Sequence, residues 1–150
     1  MKLIRRLISF SVSVMVAACA TAAPLPEIAE GQVWTIKDAP GPETRVLVYK
    51  IEPYAPEDLA VHVSMTGVGR GVLSTGATFV GEISHLPFEH DALAASLDRL
   101  VETGRLPNPE LQAGYEQWKL ANGGLFTISA AETIRVVFET LQVTPIEGNE

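Results

Sequence analysis

Leu59-Ala60-Val61-His62-Val63-Ser64-Met65-Thr66 (LAVHVSMT) decides the fold class, because it alternates along its whole length. Leu59, Val61, Val63 and Met65 fall on one face, and Ala60, His62 and Ser64 on the other, a two-residue period that predicts a half-buried β-strand. Upstream, Gln32 to Lys37 (QVWTIK) and Arg45 to Glu52 (RVLVYKIE) are rich in β-branched and aromatic residues. They flank the turn-forming cluster Asp38-Ala39-Pro40-Gly41-Pro42 and read as a hairpin. Downstream, after a glycine-rich connection from Gly67 to Ala77, Thr78 to Leu86 (TFVGEISHL) reads as a fourth strand.

Helical patterns then take over. Asp91 to Glu102 carries Leu93, Leu97, Leu100 and Val101 at helical spacing, with Gly104 as the C-terminal stop. A second helix is predicted behind Asn108 as N-cap and Pro109, with Leu111, Tyr115 and Trp118 on one stripe and a stop at Gly123 or Gly124. Gly124 to Ile128 is a candidate fifth strand. Ser129 and Glu132 form an S-x-x-E capping box ahead of Ile134, Val137, Phe138 and Leu141, and Pro145 closes that last helix. Strands followed by helices predict an α+β domain: an antiparallel sheet of four strands, or five, with three helices packed on one face.

The N-terminus has a different character. Lys2, Arg5 and Arg6 precede an uncharged run from Leu7 to Ala18, the order of a secretory signal peptide. Twelve helical residues rise about 18 Å, short of the ~30 Å hydrocarbon core, so a permanent membrane span is not expected there. Val16-Ala17-Ala18-Cys19 resembles the lipobox of bacterial lipoproteins. That resemblance implies that Cys19 is the lipidation site and the first mature residue. Ala18-Cys19-Ala20 and Ala20-Thr21-Ala22 also read as A-x-A cleavage sites, which leaves simple secretion as the alternative. The expected layout is a signal peptide over 1–18, a lipidation site and Pro-stiffened tether over 19–30, a domain over 31–143 and a tail over 144–150.

Composition narrows the function classes. The chain has 150 residues, 47% hydrophobic and 19% charged, with a formal net charge of −7. That suits one ordinary globular domain and argues against nucleic acid as a partner, since such affinity rests on clustered basic charge. Loss of the signal peptide leaves eight basic and eighteen acidic residues, a mature charge of −10. The single cysteine excludes an internal disulfide. Gly67-Val68-Gly69-Arg70-Gly71 lacks the third glycine of a phosphate cradle and precedes a strand, where that motif should open a helix. There is no G-x-S-x-G elbow, no H-E-x-x-H and no other metal-ligand spacing, so neither cofactor nor metal is expected.

The titratable candidates are His62, His85 and His90. If strands three and four pair with Thr66 opposite Thr78, His62 faces Glu82. The candidate polar site is therefore His62, Glu82 and His85. A cross-strand polar pair is more often structural than catalytic, and His85, beside Pro87-Phe88, is expected to bond backbone at the strand-to-helix junction. Trp34, Tyr49, Tyr54, Tyr115 and Trp118 are expected mainly in the core, with a ligand groove as the alternative.

Gly31 to Trp34, Val61-His62-Val63, Ile83 to Phe88 and Phe126 to Ser129 together resemble a group of small bacterial proteins of uncharacterised activity. The resemblance implies a shared fold and assigns no catalytic residue; at Glu89 it departs from the small polar cap of that pattern. The expectation is an exported cell-envelope lipoprotein, periplasmic or membrane-anchored, whose domain binds a protein or small ligand without chemistry. The alternative is a small envelope hydrolase or metal-dependent enzyme using His62, Glu82 and His85.

Overall fold

The computed structural model describes residues 24–146. Its elements are β1 (Val33–Ile36), β2 (Arg45–Pro53), β3 (Leu59–Thr66), β4 (Gly71–Val72), β5 (Thr78–Phe79) and β6 (Glu82–Glu89), then α1 (His90–Ser96) and β7 (Leu97–Glu102). They are followed by α2 (Glu110–Leu120), α3 (Ala130–Thr140) and β8 (Thr144–Pro145). The class is α+β. One antiparallel sheet has the order β6-β3-β2-β1-β7, a second runs β5-β4-β8, and three helices accompany them.

β3 occupies its expected residues, with β2 and β6 as its neighbours, so both of its edges are paired. Val61, Val63 and Met65 belong to the main core with Val46, Val48, Phe88, Leu93 and Ile134, which brings α1 and α3 onto that face. Ala60, His62 and Ser64 are also buried, on the opposite face, where His62 packs against Tyr115 and Trp118 of α2. Between its exposed ends, Leu59 and Thr66, the strand is therefore buried on both faces rather than on one. The helices divide between the two faces of the large sheet instead of sharing one. Alternation could assign residues to a face but could not reveal that the more polar face was covered too.

The fourth strand breaks in two. Gly81 adopts φ +81°, and a Cβ there would lie 2.6 Å from the Gly69 carbonyl oxygen, so only glycine fits this close crossing. Thr78–Phe79 pairs with β4, and β6 pairs with β3 in a register that places Thr66 opposite Glu82 and His62 opposite Pro87. The expected Thr66–Thr78 register, and with it the His62–Glu82 pair, does not form.

The helix expected over 91–102 stops at Ser96. Leu97 turns to extended backbone (φ −72°, ψ 143°), and the following residues become β7 along the free edge of β1. Local spacing favoured continuation, but the unpaired backbone of β1 needs partners that only a strand supplies. β7 is thus the fifth strand. In the 124–128 segment, Phe126 instead makes one parallel bridge to Phe88, flanked by Phe126 N–H donating to Pro87 O and Glu89 N–H donating to Phe126 O.

The remaining helices follow their local signals. Asn108 Oδ1 accepts from the Glu110 N–H at 3.2 Å from two residues before α2 begins, with Pro109 rather than Asn108 in the N-cap position. Ser129 Oγ accepts from the Glu132 N–H at 3.2 Å and caps α3. α3 buries Ile134, while Val137 and Phe138 are half-buried and Leu141 is exposed. Thr144–Pro145, expected in the tail, pairs with β4 as β8.

Candidate functional site

The polar face of the large sheet and α2 enclose a connected set of side chains. β2 and β3 pair antiparallel with a bulge between Val48 and Lys50, after which Lys50 lies opposite His62 and Glu52 opposite Ala60. The extra residue turns Tyr49 and Lys50 toward the same helix. Tyr49 meets Tyr115 edge-on at 6.2 Å, and the Lys50 ammonium lies 5.0 Å from the Tyr115 ring centre. β6 has its own irregularity against β3: Val63 pairs with Leu86 but Met65 with Ile83. That shift brings His85 onto the face of His62.

His62 and His85 stack, with centroids 5.2 Å apart and planes 16° from parallel, and His62 Nδ1 lies 3.0 Å from His85 Nε2. On its far side, His62 Nε2 is 3.3 Å from Glu52 Oε1, within ion-pair reach but outside hydrogen-bond geometry. A carboxylate only accepts. The hydrogen of neutral His62 therefore belongs on Nε2, and Nδ1 accepts from His85 Nε2–H. The Tyr115 hydroxyl donates to the Glu52 carboxylate, with both oxygens at 3.0 Å, and accepts from Lys119 Nζ at 3.0 Å. The chain of contacts runs from His85 through His62, Glu52 and Tyr115 to Lys119.

Helix α2 reaches this close because Gly114 lacks a side chain: a Cβ there would lie 2.6 Å from His85 Cβ. Trp118, one turn after Tyr115, closes over His62 at 4.6 Å.

Burial dominates the electrostatics of the histidines. His62 is fully buried and its pKa is pushed below the ordinary value by desolvation, with the Glu52 carboxylate pulling the other way. His85 is lowered to about 4, first by desolvation and then by the charge His62 would carry. Both are neutral at pH 7. Lys119 is raised, chiefly by its bond to Tyr115 and then by Glu52, and stays cationic.

Beside this network opens a cleft of about 380 Å³ lined by Glu52, Pro53, Tyr54, Trp118, Lys119, Asn122 and Gly123. A larger groove of about 570 Å³ between α3 and the small sheet is walled by Val68, Ile134, Phe138 and Val143. It is the more apolar of the two, whereas the smaller cleft adjoins the histidine network.

The structure thus brings His62 and His85 together and leaves Glu82 apart. Glu82 is exposed and lines a separate cleft with Arg45, Ser64, Thr66 and Arg105. His85 bonds His62 rather than backbone. His90 lies apart from both and pairs with its neighbour Asp91, at 2.9 Å. Trp34 is in the main core, but Tyr49, Tyr54, Tyr115 and Trp118 gather at the site. Glu52, Lys50 and Lys119 were not singled out from sequence. The available signal was the even-numbered parity of β2, which puts Lys50 and Glu52 on one face, but the facing strand and its bulge had to be known first. Cys19 lies outside the described residues. Among the described residues, no three His, Cys, Asp or Glu side chains are placed to hold a metal ion. Neither a protein-family model, nor a curated protein, nor a solved structure matches the chain.

Proposed function

We propose that this chain is an exported cell-envelope protein, tethered by lipid at Cys19, whose domain works by binding a small ligand in the cleft between β2 and the C-terminal end of α2. One observation carries the binding half: two aromatic rings, a carboxylate and an ammonium converge on a concavity within the size range of small-molecule sites. Such a combination gives a ligand both apolar contact and fixed polar orientation. The His62 network beneath supports the walls, because Glu52 and Lys119 are held by Tyr115 rather than left free to move.

An acid–base reading has the His62–His85 contact in its favour. Against it, His62 is sealed from solvent and its carboxylate neighbour is Glu52, already engaged by Tyr115. Binding is therefore the preferred reading.

The tether is tested by fractionation. Two or more acyl chains anchor stably where one is marginal, so wild type is expected in the membrane pellet. Cys19→Ser is expected to release a folded domain or accumulate as unprocessed precursor; a soluble wild type contradicts the lipid anchor. The cleft is read at Trp118, whose indole N–H signal responds to a seated molecule, while that of Trp34, in the core on the other face, serves as the internal reference.

A further inference from the structure

Resting on the reading of the β2–α2 cleft as a ligand site, we propose that its ligand is a small planar monocarboxylate. Its ring lies against Trp118 and Tyr54, and its carboxylate is taken by the Lys119 ammonium and the Asn122 amide.

Charge sets the sign of the ligand. The chain has four lysines, and two of them converge on one carboxylate: Lys50 Nζ is 4.0 Å and Lys119 Nζ 3.8 Å from Glu52 Oε2. With His62 and His85 neutral, the cluster holds one uncompensated positive charge in an otherwise acidic protein. The nearby acids Glu30 and Glu116 do not line the cleft; Glu30 accepts from the Ile51 N–H and Glu116 from the Gln112 amide. Glu52 itself is satisfied by Tyr115, so it does not call for a cation. The seat over the Tyr115 ring, where an added cation would gain most, is already filled by Lys50 and Lys119 at 5.0 and 5.3 Å.

The aromatic walls set the shape. Trp118 Nε1–H donates to the Gly124 carbonyl at 2.9 Å, and the Tyr54 hydroxyl donates to the Gly123 carbonyl at 3.3 Å. Their polar atoms are spent on backbone, and what they offer a ligand is ring surface. The rings stand 6.0 Å apart at 36° and favour a flat partner. The donors still free are on Lys119, 64% exposed with one hydrogen bond to Tyr115, and on the Asn122 side chain, which has no hydrogen bond among the described residues. One excess charge and two adjacent donors match a carboxylate; a phosphate dianion would ask for more positive charge than the cluster has.

Titrating the full mature chain with benzoate, benzamide, benzylamine and acetate, read at the Trp118 indole N–H, separates these features. Benzoate is expected to saturate with a Kd at least tenfold below that of benzamide, while benzylamine and acetate produce no saturable shift. Lys119→Gln should bring benzoate down to the level of benzamide and leave the Trp34 signal in place. Equal affinity for benzoate and benzamide in wild type, or a benzoate affinity unchanged by Lys119→Gln, overturns the carboxylate assignment and leaves the cleft standing. If no probe shifts Trp118 saturably, the cleft reading falls with it.

Discussion

Phe88→Ala is expected to lower the free energy of unfolding by about 3–5 kcal/mol, the range for emptying a fully enclosed aromatic position. Phe88 has no exposed surface, pairs across β3 with Val61 and packs on Phe126 with ring centres 5.7 Å apart. It also sits where the backbone of Phe126 bridges β6 just ahead of α1, so the cavity would open beneath the joint between the sheet and its α1/α3 layer. Phe138, assigned by periodicity to the apolar face of the last helix, is only half-buried and meets Phe79 edge-on at 5.1 Å. Its truncation should cost less, about 1–2 kcal/mol. Urea unfolding of the two variants checks the order. A Phe138→Ala loss equal to or larger than that of Phe88→Ala would contradict this arrangement of the core.

Acidification is expected to weaken the fold by about 1–2 kcal/mol between pH 6.5 and pH 4, a value reduced for the partial exposure of His85. The direction follows from the histidines. In the unfolded chain His85 takes up its proton near the ordinary value of 6.5, whereas in the folded chain it does so only near 4. Through that window the unfolded state binds more protons, so stability rises with pH and is lost as pH falls. The shift of His62 has the same sign, because desolvation outweighs the attraction of Glu52, while Lys50 and Lys119 oppose a further positive charge. Below about pH 4 the His85 contribution levels off. His85→Gln should flatten the slope in urea unfolding curves collected across the window, leaving the part due to His62. An unchanged slope in that variant would place the acid sensitivity elsewhere.

Local signals carried the parts of the fold that depend on short stretches of chain. LAVHVSMT specified β3 residue for residue, and the Ser129 cap specified the start of α3, because each is written within a few positions. What was hidden depends on distant partners. Nothing local in Leu97–Glu102 distinguishes the end of a helix from an edge strand; the unpaired edge of β1, some sixty residues earlier, makes the choice. The site behaves likewise. His62 and His85 were legible as candidates because histidines are few, but Glu82 was assigned by a register that Gly81 and the β6 bulge shift by several positions. Glu52 and Lys119 become visible only once β2 and α2 meet over His62. Ordinary charged residues on predicted elements look like solvated surface until a partner is placed against them.

The link from His85 through His62 to Glu52 is tested most directly by following both imidazoles with nitrogen-detected NMR as pH is lowered. His62 is expected to be neutral with its hydrogen on Nε2 at pH 7, and His85 to titrate near 4. His62→Gln is expected to move the His85 titration part of the way back toward 6.5, because burial, the larger cause of the shift, remains while the charge that His62 would carry is gone. Two histidines that titrate near 6.5, each indifferent to substitution of the other, would contradict this link.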